Sequence, residues 1–267
     1  MFDRFRGRPG SVRLVGTAHV SPRSRERVVD VIRAEQPDTV AIELDADRFT
    51  RLWRDDGSRL RDLLGSDLSP AATLLALVFS VRQRRLAREM GVEPGEADML
   101  PAARTGREVG ATVTLVDSSS TDAFDELTAR CLSTDAVRSL VRRVGDGETR
   151  AEMRAAMEEM EELDRTYDLS SGSVEAQVEA LETMPLADLD RLVDATGTLL
   201  PTVANVLLTE RNRYMAGRLH WLREEGEETV AVVGRAHVPG LQALLDDPDS
   251  IPTEHVTEPR SVRFVGG

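Results

Sequence analysis

The order of elements in residues 12–43 constrains the fold most. Val12 to Val15 form a short apolar run. SPRSRERVVDVIRAEQ follows, with Ser21 placed as an N-cap, Pro22 at the first helical position and Val28, Val31 and Ile32 at helical spacing. PDTVAIELD, opened by Pro37 and Asp38, is then a β-rich run. Strand, helix and strand this close together are what a right-handed parallel βαβ unit requires. ATVTLVD (Ala111 to Asp117) follows a helix ending near Gly110. ETVAVVG (Glu228 to Gly234) lies between a helix and a short helix after Gly240. Both runs are continuously apolar, as buried parallel strands are.

No strand pattern stands out between Ser120 and Gly226. ETRAEMRAAMEEMEELDRTYDL is helix-forming, with a stripe of Met153, Met157, Met160 and Leu163 or Asp164. DLSSGSVEAQ is a loop in which Ser173 can cap the next helix. The expected fold is α/β: a mainly parallel central sheet with flanking helices and an α-helical insertion at about 120–226, within a single domain over residues 1–267.

Charge narrows the function. Of 267 residues, 34 are basic and 47 acidic, giving −13, and every basic residue is arginine. Phosphate neutralisation needs a basic face, so nucleic acid is not an expected partner. An acidic, arginine-only surface suits a salt-rich cytoplasm. The longest apolar stretch, Ala71 to Val81, falls short of the ~20 residues that cross a bilayer and is expected to be a buried helix. The amino end has no apolar segment after its basic residues, so no secretory signal or membrane span is expected and the location is cytoplasmic. Cys131 is the only cysteine and reads as a small core residue.

The apolar run of the first strand stops at Gly16 and continues Thr-Ala-His-Val; that of the last stops at Gly234 and continues Arg-Ala-His-Val. His19 and His237 therefore share one local frame. In an α/β sheet, ligands collect beyond the carboxyl ends of the strands, and a glycine there permits close approach of another group. SVRFVGG, at the end of the chain, repeats strand and glycine without the histidine, so the glycine alone carries little information. His220, in mid-helix, and His255, in an expected edge strand, are read as packing or solvent residues. Glu43 closes the second strand, as a site ligand or a helix cap. Arg211 falls on the apolar stripe of a helix over Pro201 to Arg223, with Leu207, Leu208, Met215 and Leu222. A cation there needs a carboxylate or a bound anion; an ion pair with Glu43 or Asp117 would meet that need structurally.

GTAHVSPRS, PDTVAIELDADRF, GVEPGEADMLPAARTGREVGATVTLVD, LLTERNRYMA and VAVVGRAHVPGL together resemble the signature blocks of the TraB/PrgY family, related to GumN and the Tiki proteases within a superfamily similar to the erythromycin-esterase-like and ChaN-like folds. The resemblance implies a site of His19, His237, Glu43 and Arg211 at the sheet edge. Arg211, Asn212 and Asp117 would meet substrate, and His19, His237 and Glu43 would hold a divalent metal ion. Two imidazoles and a carboxylate leave a coordination position open, as in catalytic zinc sites, and admit manganese or cobalt as well. The expected activity is metal-dependent, peptidase-like hydrolysis of a peptide or small-molecule substrate, with Arg211 stabilising the oxyanion. Two alternatives stay open: a metal-independent, esterase-like hydrolase using histidine as general base, and a non-enzymatic protein that binds a peptide or small anion, as in pheromone shutdown. A homodimer is compatible with the sequence. Ser118 follows TLVD where the family commonly has arginine.

Overall fold

A computed structural model of the chain describes residues 9–18, 21–53, 98–118, 126–127, 129–130, 142–143, 145–170 and 173–262. His19, the stretch Ala71 to Val81 and Cys131 lie outside them. The chain divides into two compact units, one of Met1–Asp55, Gly91–Ser118 and Arg211–Gly267, the other of Asp56–Met90 and Ser119–Glu210.

The first unit carries the sheet: β1 (Ser11–Thr17), β2 (Thr39–Ile42), β3 (Thr112–Leu115), β4 (Glu228–Gly234) and β5 (Arg260–Ser261), in the order β1-β4-β2-β3-β5. All pairings are parallel except that of β5 with β3. This is the α/β fold with a mainly parallel sheet that the sequence implies. β1 and β2 do not pair with each other; β4 runs between them, with Thr17 opposite Gly234 and Ile42 opposite Val232. The two GxxH segments thus leave the sheet from adjacent strands.

Helices cover both faces, which is why the strands are continuously apolar. Val40, Ile42, Val113, Val230 and Val232 face one side, where α1 (Pro22–Glu35) contributes Val28 and Ile32, α2 (Ala46–Trp53) Phe49 and α3 (Met99–Val109) Met99, Ala102 and Ala103. Ala41, Val116, Ala231 and Val233 face the other side, against Met215, Leu219, Leu241 and Leu245 of the last two helices of the unit. Each fully buried Val or Ile is worth about 1.5–3 kcal/mol, so Val28 and Ile32, fully buried, are enough to fix α1 on the sheet. Ser21 occupies the N-cap position of α1 without a side-chain cap bond, whereas Pro22 stands in the first turn as expected. The buried Ser24 is engaged elsewhere: its hydroxyl oxygen accepts from the Ala18 N–H at 3.2 Å. Gly110 closes α3 in the left-handed region.

Among its described residues the second unit is helical: α4 (Gly147–Tyr167), α5 (Val174–Thr183), α6 (Leu186–Leu199) and α7 (Pro201–Ala204), followed by a π-helical turn, Asn205–Thr209. Ala156 and Leu163 are the buried positions of α4, with Met153 and Met160 half-buried on the same face; of the expected stripe, Met157, 53% exposed, turns to solvent. α4 packs on α6, and Arg191 of α6 binds Glu159 and, at 3.4 Å, Glu162. Ser173 caps α5, accepting from the Ala176 N–H at 3.3 Å. Ser173→Ala is expected to lower the urea midpoint of this unit by the equivalent of about 1 kcal/mol, and Ser173→Asp to keep it. An unchanged midpoint in the alanine variant refutes the cap.

The helix expected over Pro201 to Arg223 is present without a gap, with the π turn inside it and α8 (Glu210–Glu224) as its last segment. The last helix, α9, is Val238–Asp246 and contains Gly240 instead of starting after it, because Pro239 fits its first turn. His255 lies in a 3-10 turn, Thr253–His255, not in an edge strand. Its N–H donates to the Pro252 carbonyl at 2.9 Å, and its own backbone carbonyl packs against Gly217. No helix among the described residues is long and apolar enough to cross a membrane.

Candidate functional site

Glu43, Asp117 and His237 follow the carboxyl ends of β2, β3 and β4, three strands adjacent in the sheet, so the topology alone brings them to one rim. All three are buried, at 4%, 5% and 4% exposure. Glu43 continues the pairing of β2 by one residue, its N–H donating to the Val232 carbonyl at 3.1 Å. That fixes the base of its side chain.

Arg211, in the first turn of α8, enters this cluster from the other side. Its Nε donates to Asp117 Oδ1 at 3.0 Å and its Nη2 to Asp117 Oδ2 at 2.7 Å, a two-pronged pair, and Nη2 also donates to Glu43 Oε1. Burial alone would lower the guanidinium's pKa, but the charges of Glu43 and Asp117 outweigh it and raise the pKa, so Arg211 is a permanent cation. Glu43 Oε2 accepts from the Gly234 N–H at 2.6 Å. A second arginine, Arg48 of α2, approaches Asp117 Oδ2 at 3.5 Å.

Both ring nitrogens of His237 are engaged. Nδ1 lies 2.6 Å from Asn212 Oδ1, and Nε2 lies 3.2 Å from Glu43 Oε1. An amide oxygen only accepts, so Nδ1 carries a proton and donates it to Asn212. Nε2 and a carboxylate oxygen then face each other, and two lone pairs at that distance need a proton or a cation between them. Two ligands of one tetrahedral ion, each bonded at about 2.0–2.2 Å, stand roughly 3.4 Å apart, so the His237 and Glu43 donors fit a shared ion. Among the described residues no three His, Cys, Asp or Glu side chains form a metal-binding group. The third ligand the sequence suggests, His19, lies outside those residues.

The first GxxH segment can be followed as far as Ala18. A Cβ on Gly16 would fall 2.8 Å from Val238 Cγ2 and 3.0 Å from Arg235 Cγ, so the glycine of the first motif is where the second motif packs against it. Arg27 donates to the Gly16 carbonyl from α1. Thr17 donates its hydroxyl to the buried Asp98, whose other oxygen takes the Met99 N–H at 2.7 Å and caps α3. Sequence reasoning did not single out Asp98 or Arg48. An acid directly before the helix of MLPAAR is a visible N-cap signal, but its partner is 81 positions away. The remaining histidines stand apart from the cluster in their contacts. His220 Nδ1 meets Arg223 at 3.0 Å and its pKa is lowered, first by burial and then by that arginine; the His255 ring lies against Tyr214, at 5.8 Å between centroids.

Glu43, Arg211, Asp117, Asn212 and His237 thus converge on three neighbouring strand ends. The chain is similar to an uncharacterized protein of Methanocaldococcus jannaschii, MJ1365, with 26% identity over 236 residues, 87% of this chain and 52% of that protein. It therefore spans about half the length of this curated relative. The match to the TraB/PrgY/gumN family runs over residues 4–251, nearly the whole sequence and both GxxH segments. The chain belongs to the TraB/PrgY/gumN family.

Proposed function

We propose that the chain is a metal-dependent hydrolase of carbonyl substrates, peptides first among them, with His237, Glu43 and His19 as the ligands of a divalent ion. One observation carries this reading: His237 Nε2 faces Glu43 Oε1 at 3.2 Å while Nδ1 is committed to Asn212. That is the arrangement of a ligand histidine whose second nitrogen is held by a hydrogen-bonding partner. A divalent ion bound there supplies Lewis-acid polarisation of a water or a scissile carbonyl.

The protein's own groups prepare the position. Asn212 sets the imidazole tautomer and ring angle. Arg211 and the Gly234 N–H hold the two oxygens of Glu43, so the carboxylate cannot rotate away from His237. Asp117 holds Arg211 through two of its donors, which supports a positioning role for this arginine.

The test is calorimetric titration of the chelator-treated chain with Zn²⁺, Mn²⁺ and Co²⁺, together with mass-spectrometric analysis of a peptide mixture incubated with it. The expected result is one ion per chain, bound more weakly as pH falls because an ion takes imidazole and carboxylate ligands in their deprotonated forms, and cleavage that stops on chelation. Cleavage that survives complete metal removal would instead support histidine as a general base paired with Glu43. Peptide binding without cleavage under any ion would support a sequestering protein.

A further inference from the structure

We infer that Arg48 is a substrate anchor and that the group it takes is a carboxylate, which makes short peptides cut near a free carboxyl end the substrate class. The inference rests on the hydrolase reading above and names its substrate.

Arg48 lies in the first turn of α2, where Asp45 Oδ1 accepts from its backbone N–H at 2.8 Å and from that of Asp47 at 2.9 Å. The backbone is therefore fixed, and the side chain reaches the site from it. Among the described residues its guanidinium has one contact, Nη1 to Asp117 Oδ2 at 3.5 Å, and the side chain is 36% exposed. The fold does not require this contact. Asp117 is already paired through two bonds with Arg211, and a long, part-exposed ion pair is worth at most about 1 kcal/mol. Of five guanidinium donors, four make no hydrogen bond among the described residues.

A planar fork of unused donors, held beside a buried carboxylate and open to solvent, matches an incoming carboxylate in two-pronged geometry. Charge agrees with this. Glu43 and Asp117 are balanced by Arg211 and Arg48, so an arriving anion meets no net negative charge in the cluster, whereas the whole chain, at −13, repels multiply charged anions. Reach agrees as well. Arg48, Asp117, Arg211, Glu43 and His237 touch in series, so the distance from Arg48 to His237 Nε2 is less than the span of four extended residues, at about 3.3–3.6 Å each.

The experiment compares N-acetylglycine, its neutral amide N-acetylglycinamide and inorganic phosphate as probes of the full chain, by calorimetry. Wild type, Arg48→Gln and Arg48→Lys are used, each first shown to be folded by circular dichroism. Wild type is expected to bind N-acetylglycine at least tenfold more tightly than the amide, Arg48→Gln to lose the preference, and Arg48→Lys to recover only part of it, as a point charge in place of a fork. Equal binding of the two, binding of neither, a preference that persists in Arg48→Gln, or tighter binding of phosphate would each overturn the inference. No turnover is involved, so a chain that cleaves nothing can still show the preference, and an active hydrolase can still lack it.

Discussion

Arg211→Met is expected to destabilise the sheet-bearing unit by about 3–5 kcal/mol, read from urea unfolding followed by circular dichroism. Methionine keeps much of the length and apolar stem of arginine, so the loss does not come from an emptied volume. It comes from Glu43 and Asp117, 4% and 5% exposed, which would be left with two negative charges and without the cation that bridges them. An exposed pair gives the contrast. Arg33 and Glu108 meet at 3.0 Å with both side chains 59% exposed, and breaking that pair is expected to cost less than about 1 kcal/mol. The second arm is Asp117→Asn in the Arg211→Met background. Neutralising one stranded carboxylate should restore part of the loss, so that the double variant departs from additivity by about 0.5–3 kcal/mol. A single variant within about 1 kcal/mol of wild type, or two substitutions whose costs simply add, would show that the cluster does not depend on this cation.

Which parts of the fold were legible in the sequence follows from the range of the interactions. Local signals were readable: the apolar runs of β1, β2, β3 and β4, Pro22 opening α1, Gly110 closing α3 and Ser173 capping α5 are each decided within a few residues. The twin GxxH frame carried more. A histidine in the same position after two strands is hard to explain unless those strands meet, and β1 and β4 are neighbours. The placement of β4 between β1 and β2 could not be read, because strand order depends on pairing between segments some two hundred residues apart. The environment of His255 was hidden for a similar reason: TEHVTE has strand composition, but Pro252 opens a 3-10 turn there and Gly217 of α8 packs on it. The sequence left Arg211 with two readings, an ion pair or an anion-binding cation. The structure shows the ion pair, with Glu43 and Asp117 both engaged. The position of Asn212 on the helix was readable, but its contact with the His237 ring was not, because that contact needs α8 and α9 packed on the same face of the sheet.

The packing of α8 on α9 lets the orienting role of Asn212 be tested without touching His237, Glu43 or Arg211. In an ordinary helix Gly→Ala stabilises by about 1 kcal/mol, so Gly240→Ala within α9 would be expected to help. Here a Cβ at position 240 would fall 2.2 Å from Asn212 Nδ2. The amide is the end of a side chain and can rotate, but its other end holds His237 Nδ1 at 2.6 Å, so clearing the clash breaks that bond. The expected outcome is a protein with nearly unchanged unfolding midpoint, the helical gain offsetting the crowding, whose His237 ring nitrogens shift in ¹⁵N NMR as the fixed tautomer is lost. If the proposed ion is bound by this imidazole, its affinity should fall about 10–100-fold, the usual consequence of removing a partner behind a ligand histidine. Asn212→Ala should give the same two changes, and the double variant no more than either single one, because both act on one hydrogen bond. A Gly240→Ala chain with wild-type His237 resonances, or effects that add in the double variant, would mean that Asn212 does not control the ring and that the His237–Glu43 geometry is set elsewhere.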